Sequence, residues 1–368
     1  MSVYKVFLWI VSCALLHGSY LSALPTCQKL PSSQKKLIKI LSIEGGGIRG
    51  LIPALILKEL ESKLTPGKHL AESFDVIAGT SSGGLTTLLL TTPGKENRPK
   101  YTASDIVNFY HDLGNKLFYR TLLNSIWNFR GWFTEKYSAT NFEQTALEAF
   151  GATRLSQAVT NIMVTAFDIH KDNTLFFKKT EALTNPTHDF YFKDIARATT
   201  AAPTFFPPAR ITDVTKTKSY TLIDGAVSIN NPSLAALMYA VNFFGCDNDF
   251  LIVSIGVGSY YGINKAPSAF KAQNKGGLID WVPKFIDLTM YASNELVDEE
   301  TAILCTPLFE HRNSKKTYYR FQTHLPLDQM HRDNVSPENV AALEKHGRDL
   351  IQKHQKDLTE IATLLNEK

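Results

Sequence analysis

The chain has 368 residues, enough to bury a large hydrophobic core. Apolar residues make up 44% of it and charged residues 20%, values that are typical of globular proteins and exclude a disordered or collagen-like chain. The 39 basic and 35 acidic residues leave a net charge of +4, too small a surplus to indicate nucleic-acid binding.

The cysteines do not form a C-x-x-C pair, which argues against a zinc site or a thioredoxin-type redox motif. They are Cys13, Cys27, Cys246 and Cys305. Cys13 lies in an N-terminal segment that we expect to be removed, so the other three allow at most one disulfide bond. The sequence leaves open which pair would form it.

Residues 1–23 are predicted to be a secretory signal peptide. Lys5 precedes the apolar stretch Val6–Leu16, which has the length of a signal-peptide core and is too short to span a membrane. We expect cleavage after Ala23 and an exported protein, either secreted or periplasmic. Two alternatives remain: a lipoprotein cleavage box at Ile10–Cys13, very close to the start, and a poorly ordered apolar N-terminus.

After a polar tether over residues 24–37, the chain alternates twice between a buried strand, a glycine-rich turn and a helix. In chain order the predicted segments are strand Leu37–Ile43, turn Glu44–Gly50, helix Leu51–Leu64, strand Phe74–Ala78, turn Gly79–Gly84 and a helix that begins at Leu85. Such alternation predicts parallel strands with helices on both faces. We therefore expect a three-layer α/β/α fold with a mostly parallel central sheet.

Further strands and helices are predicted downstream. They are strands 161–168 and 175–177 (a hairpin around 171–173), helix 195–200, strand 220–223, helix 233–244, strand 250–255 and one C-terminal helix from Ser336. The predicted organisation is a main domain over residues 38–330, followed by an amphipathic helix over 331–368 that packs on the domain or extends it.

The second glycine-rich turn contains a G-x-S-x-G motif, Gly79–Gly83, with Ser81 at its centre. A serine between a buried strand and a helix is typical of a nucleophile elbow, a sharp turn whose flanking positions must lack bulk. The helix dipole at that position favours negative charge on the serine oxygen. The alternative is a structural serine in a tight turn.

The first glycine-rich turn, Gly45–Gly50, matches G-x-G-x-x-G, a weak motif when it stands alone. One interpretation is an oxyanion hole, in which the amides of Gly45, Gly46 and Gly47 point at one spot beside Ser81. A nucleotide or phosphate site and a plain turn are the alternatives. Arg49 is a candidate to pair with a phosphate or support the oxyanion, or else a solvated arginine at the helix start.

Asp224 is the candidate base for Ser81. It ends the strand 220–223 within Asp224–Ala226, and we expect it at the carboxyl edge of a parallel strand, where it would meet the serine. A turn-forming Asp-Gly pair is the alternative. None of the late histidines directly follows a predicted core strand, so the sequence favours a Ser–Asp dyad over a triad. Those histidines are His311, His324, His331, His346 and His354.

Four ordered motifs together resemble the patatin-like phospholipase family. They are the glycine block Leu41–Gly50, the nucleophile block Phe74–Leu85, the proline-rich block Thr200–Pro208 and Asp224–Ala226. The resemblance covers residues 38 to 260 and fades beyond them. It implies that Ser81 is the nucleophile, Asp224 the base and Gly45–Gly47 the oxyanion donors. Glu44 departs from the family pattern, where many relatives carry Asp, and we expect little consequence.

The resemblance implies an exported serine lipid acyl hydrolase of the phospholipase A or lysophospholipase type, with residues 38–330 as its catalytic domain. The substrate is then an acyl-ester lipid, cleaved through an acyl-enzyme, and the implied partner is a membrane surface contacted peripherally. No metal or organic cofactor is expected, because no acidic or histidine cluster has ligand spacing. A nucleotide-binding enzyme and a non-catalytic storage or effector protein are the rival functions.

Two aromatic segments carry a double interpretation. Phe205 and Phe206 would line an acyl pocket or pack in the core. The aromatic and basic residues of 120–136 suit either a membrane contact or lid, or ordinary packing.

Overall fold

The structure is a computed structural model and describes residues 35–117, 139–260, 290, 292–305 and 317–367. The predicted signal peptide, most of the tether and the aromatic segment 120–136 lie outside these residues, so those three predictions stay predictions.

One large sheet forms the centre of the molecule. Its strands are β1 (Leu37–Ile43), β2 (Val76–Thr80), β3 (Asn161–Asp168), β4 (Asn173–Lys178), β5 (Ala209–Thr212), β6 (Ser219–Asp224), β7 (Asp249–Ile255) and β9 (Tyr318–Phe321). Their order is β5-β6-β3-β2-β1-β7-β9, with β4 also beside β3. The pairs β3-β2, β2-β1, β1-β7 and β7-β9 are parallel, while β4, β5 and β6 pair antiparallel. The short strands β8 (Ser259–Tyr260) and β10 (His324–Leu325) pair separately.

Helices cover both faces of this sheet. They are α1 (Leu51–Ser62), α2 (Ser82–Thr91), α3 (Ala103–Leu117), α4 (Ala139–Phe150), α5 (Lys179–Thr184), α6 (Phe192–Thr199), α7 (Ser233–Phe244), α8 (292–305), α9 (Pro337–Lys353) and α10 (Gln355–Asn366). The larger core lies under α1, α2, α3, α4, α6, α9 and α10, and the smaller one under α7 and the end of α8. The expected three-layer α/β/α fold is confirmed.

Successive side chains of the central strands point to opposite faces of the sheet, which is why the molecule has a core on each face. In β1, Ile38 and Ile40 point to the smaller core, while Leu41 and Ile43 point to the larger one. A strand that is covered on both faces must be apolar at nearly every position, which is why β1 and β7 read as continuous hydrophobic runs.

The C-terminal tail differs from the single helix that the sequence predicted. Ser336 caps α9 by accepting the Asn339 N–H, but the helix ends at His354, where the backbone turns (φ −112°, ψ 23°) and α10 begins. Gly347 lets α9 lie close to α1, since a Cβ there would be 2.7 Å from Leu55 Cδ1. Both helices contribute buried leucines to the larger core.

Cys246 forms a disulfide bond, and Cys305 is a free, buried thiol. In the part of the chain that the structure describes, no helix is long and apolar enough to cross a membrane.

Candidate active site

The sheet brings Ser81 and Asp224 together by placing two strands end to end along β3. β2 runs parallel to β3 and ends with Thr80 opposite Thr165. β6 runs antiparallel to β3 and ends with Asp224 opposite Ala166, the next residue. The two strand ends therefore point at each other. The expectation of a parallel strand at Asp224 is wrong, and the antiparallel direction is what lets the carboxylate face the serine.

Ser81 occupies a sharp turn between β2 and α2. Its backbone has φ 55° and ψ −123°, a conformation that side chains rarely adopt and that marks stored strain. The turn is possible because Gly83 packs on β1, where a Cβ would overlap the carbonyl of Ile43. The Ser81 N–H donates to Thr199 Oγ1 at 2.8 Å, and the Ser81 Oγ donates to Asp224 Oδ2 at 2.6 Å.

Asp224 is 3% exposed, and burial raises its pKa to about 6. Three interactions oppose this rise in pKa: the hydrogen bond from Ser81, the 2.8 Å bond from the Ala226 N–H to Oδ1, and the positive charge of Arg332. A carboxyl group with a pKa near neutrality is a better match for general-base work than an ordinary aspartate. The hydrogen bond between the two candidate catalytic residues is thus already formed in this structure.

The glycine loop lies directly against the elbow. A Cβ on Gly45 would be 2.8 Å from Ser81 Cβ, so only glycine allows this approach. The Gly46 N–H donates to Ser82 Oγ at 2.9 Å, whereas Gly47 has φ +60° and packs under the backbone of Arg332. Gly45, Gly46 and Gly47 were all predicted to be oxyanion donors. In this resting structure the Gly46 amide already has an acceptor, which ties the loop to the elbow.

Arg49 is buried and holds the glycine loop in place. It is 1% exposed, and its guanidinium donates to the carbonyls of Gly258 at 3.1 Å and Gly46 at 3.4 Å. It is therefore neither a solvated arginine nor placed as a phosphate ligand. Of the predicted alternatives, the geometry favours support of the oxyanion loop, because Arg49 positions the loop that faces Ser81.

Glu44, for which we expected little consequence, lies at the centre of a buried polar network. It is 1% exposed and pairs with Arg320 on β9. Asn294 and Gln322 also donate to its carboxylate, at 3.4 and 3.5 Å. Arg320 in turn donates to Ser254 on β7 at 3.0 Å. Glu44 thereby fixes the start of the glycine loop to two strands of the sheet.

The sequence did not indicate four further residues around the dyad: Ser82, Thr199, Asn230 and Arg332. Ser82 Oγ accepts the hydrogen bond from the Gly46 N–H, and Thr199 Oγ1 accepts the one from the Ser81 N–H. Asn230 lies beside Gly45, its Oδ1 2.7 Å from where a Cβ on that glycine would be. Asn230 belongs to no motif that the sequence indicates, so its proximity to Ser81 depends on tertiary structure.

Phe206 is half-buried and packs against the larger core, with its ring 6.0 Å from that of Phe142, which favours the packing interpretation for this residue. Three of the late histidines contact residues other than Ser81 and Asp224: His324, His346 and His354 contact Ser259, Gln329 and Asp357. His331 is exposed. His311 lies outside the described residues. Among the described residues, no group of His, Cys, Asp or Glu side chains is arranged to hold a metal ion.

Comparison with known proteins places this site in a family. The sequence model of the patatin-like phospholipase family matches residues 41–237, which contain the glycine loop, the elbow and Asp224. Patatin-like protein 2 of Arabidopsis thaliana is 36% identical over 88% of this chain and 85% of its own length. Patatin-2-Kuras 3 of Solanum tuberosum is 34% identical over 86% of this chain and 84% of its own.

A solved structure, that of VipD from Legionella pneumophila, aligns with 89% of this chain and 70% of its own at 13% identity. The TM-score of this alignment is 0.39. From the family model and the relatives of 30% identity or more, the chain belongs to the patatin-like phospholipase family and is a lipid acyl hydrolase.

Proposed function

We propose that the protein is an exported phospholipase A or lysophospholipase that cleaves fatty-acyl esters of membrane lipids through a Ser81–Asp224 dyad. The observation that carries this proposal is the 2.6 Å hydrogen bond from Ser81 Oγ to a buried carboxylate whose pKa burial raises to about 6. A nucleophile that is already bonded to a base is the signature of covalent catalysis.

The first half-reaction forms the acyl-enzyme. Asp224 takes the proton from Ser81 Oγ as the oxygen attacks the ester carbonyl carbon. Amides of the glycine loop and the N-terminus of α2 stabilise the negative charge that develops on the carbonyl oxygen. When the intermediate collapses, Asp224 gives the proton to the departing alcohol, and the acyl chain stays on Ser81.

The second half-reaction releases the fatty acid. Water gives a proton to Asp224 and attacks the acyl carbon, and the bond to Ser81 Oγ breaks as Asp224 returns the proton to that oxygen. The dyad ends in its starting state, so no cofactor is consumed in the cycle.

A phospholipid suits the charge at this site. Arg332 is half-buried beside the glycine loop, and its positive charge lowers the pKa of Asp224. A positive charge at this position would favour an ester that carries a phosphate. Such substrates lie in membranes, so we propose a peripheral membrane contact as part of the activity.

Export is supported by two independent features. Residues 1–23 have the pattern of a signal peptide, and Cys246 forms a disulfide bond. Disulfide bonds persist mainly in oxidising compartments outside the cytoplasm.

The proposal is tested with a panel of phospholipids, lysophospholipids and neutral glycerides, assayed for released fatty acid. Ser81→Ala and Asp224→Asn should each lose activity on every lipid by several orders of magnitude while the protein remains folded. Ser259→Ala is the matched control, because Ser259 Oγ lies 3.0 Å from His324 Nδ1 and offers a conventional serine–histidine pair. Activity in the folded Ser81→Ala variant, or its loss in Ser259→Ala, would contradict the proposal.

A further inference from the structure

Asn230 carries a buried polar atom that the dyad does not use. The side chain is 2% exposed, and within the described residues its Oδ1 accepts no hydrogen bond. Buried carboxamide oxygens are normally paired, because leaving one unpaired forfeits its interaction with water. An exception beside a reactive serine suggests that the acceptor has a partner during the reaction.

The position of this oxygen is fixed by its neighbours in the chain. The carbonyl of Ile229 accepts the Thr80 Oγ1 hydroxyl at 2.9 Å, which ties the segment to the end of β2. On the other side, Asn231 Oδ1 accepts the Ser233 N–H at 3.1 Å, ahead of helix α7. Asn230 is therefore anchored on both sides and does not depend on its own side chain for its place.

The oxygen lies against the glycine loop, on the side where that loop meets the nucleophile. One spot, the site of a Cβ on Gly45, is 2.7 Å from Asn230 Oδ1 and 2.8 Å from Ser81 Cβ. The acceptor and the Ser81 side chain therefore flank the same glycine, which places the carboxamide beside the nucleophile.

The two half-reactions differ in the number of hydrogen-bond acceptors that they require. During acylation the only proton that moves from the enzyme is that of Ser81, and Asp224 Oδ2 already accepts it at 2.6 Å. During deacylation the attacking water has two O–H bonds. Asp224 takes one proton, and the second O–H needs a separate acceptor to orient the water toward the acyl carbon.

We propose that Asn230 is a positioning residue for the hydrolytic water, through a hydrogen bond from the water to Oδ1. This inference rests on the proposed dyad mechanism and adds a step-specific role to it. The water oxygen bonds to the acyl carbon, one proton goes to Asp224 and then to Ser81 Oγ, and the other stays on the oxygen as the hydroxyl of the released acid. Asn230 itself gains and loses no proton.

The decisive variant is Asn230→Leu, which keeps the approximate volume of the side chain and removes its polar atoms. Acylation is measured as the p-nitrophenol burst with p-nitrophenyl butyrate and as the rate of fluorophosphonate labelling of Ser81. Deacylation is measured as the decay of the isolated butyryl-enzyme by intact-mass spectrometry. We expect deacylation to slow by about 10- to 100-fold while acylation changes by no more than about 2-fold, so that acyl-enzyme accumulates.

Two further variants separate this role from a structural one. Asn231→Ser, at the neighbouring buried carboxamide, keeps an acceptor for the Ser233 N–H and should leave both rates unchanged. Asn230→Asp keeps an acceptor oxygen in the same place. At pH 9, where the carboxyl groups at positions 224 and 230 are both ionised, this variant should deacylate at about the wild-type rate. If Asn230→Leu does not fold, the Asn230→Asp measurement against wild type still decides, because loss of deacylation there contradicts the proposal.

The proposal is overturned if Asn230→Leu deacylates at the wild-type rate, or if acylation and deacylation slow equally. Equal slowing would mean that the carboxamide acts on the oxyanion or on the shape of the elbow. A wild-type enzyme that forms no acyl adduct on Ser81 would instead refute the dyad mechanism, so the two failures are distinguishable.

Discussion

At the scale of single residues, burial of Asp224 has two opposite effects. It raises the pKa of the carboxyl group to about 6, which makes it a stronger base for the serine hydroxyl. It also makes the ionised form costly to the folded protein, because a charge is removed from water. In the proposed mechanism, catalysis and stability are therefore coupled through this one side chain.

The pH dependence of catalysis should report this carboxyl group. The base must be ionised, so kcat/KM should fall as the pH drops through about 6, well above the value for an ordinary aspartate. Arg332→Gln removes a positive charge that lowers the pKa of Asp224, and it should shift the acidic limb to higher pH. His324→Gln and His331→Gln serve as controls and should leave the limb in place. A limb that disappears in either histidine variant would contradict the dyad.

Asp224→Asn should stabilise the protein at pH 8. The pKa of Asp224 is higher in the folded state than its ordinary value of 3.8, so its stabilising contribution is complete below pH 3.8 and is lost as pH rises through about 6. The amide avoids this loss, can still accept the Ala226 N–H, and should gain at most about 3 kcal/mol at pH 8. Urea unfolding at pH 8 and pH 4.5 measures the difference, which should shrink at the lower pH. If Asp224→Asn is no more stable than the wild type at pH 8, burial of the ionised Asp224 carboxylate does not cost the folded protein stability, and this prediction fails.

The sequence located the two candidate catalytic residues but missed most of their surroundings. Ser81 and Asp224 stand in short motifs whose chemistry can be recognised locally. Thr199 and Asn230 stand in no such motif, and they reach the elbow only through tertiary contacts such as the Ser81–Thr199 bond across 118 residues of chain. For Arg49 the sequence left a phosphate ligand, a support of the oxyanion and a solvated side chain open, and burial favours the support.

At the scale of secondary structure, the site depends on a strand arrangement that no local pattern encodes. The sequence predicted strand 220–223 and helix Ser233–Phe244, and the structure has both. The predicted direction of β6 is wrong. The alternation of apolar and polar residues along a strand does not reveal which neighbour the strand pairs with. The prediction of a single C-terminal helix is likewise wrong. The helical spacing of apolar residues continues across the break at His354, so the spacing does not reveal that the helix ends there.

Glu44 gives a test of how the sheet holds the glycine loop. Glu44→Gln removes the charge that pairs with the buried Arg320 and should destabilise the protein by about 3–5 kcal/mol. Glu44→Asp keeps the charge and should cost much less. Thermal unfolding of both variants, together with kcat/KM for any that stay folded, makes the comparison. Equal effects of the two substitutions would show that side-chain length, and not charge, anchors the loop.

At the scale of the whole molecule, the β9 strand and helices α9 and α10 complete the core begun by the N-terminal half. Phe321, Leu350 and Leu365 lie in the same apolar cluster as Leu51 and Ile77. The glycine loop is supported from this C-terminal region too, since the carbonyl of Arg332 accepts the Ile48 N–H at 2.9 Å. The site is therefore supported by chain well beyond residues 41–237, the segment that the family model matches.

Export should be visible in the mature chain. If residues 1–23 are a signal peptide, protein recovered outside the cytoplasm should begin near Leu24, and non-reducing mass spectrometry should find Cys246 in a disulfide bond. Cys305 should then be the cysteine that alkylates after unfolding. Functional protein that retains Met1 would refute export by this route.

The central claim, that Ser81 is a nucleophile activated by Asp224, is tested most directly by covalent labelling with a fluorophosphonate. Peptide mass spectrometry of the labelled wild type should place the adduct on Ser81, with no adduct in folded Ser81→Ala. Labelling should be slowed by several orders of magnitude in Asp224→Asn, because the two residues act as a unit. An adduct on another serine, or labelling of Asp224→Asn at the wild-type rate, would contradict the account.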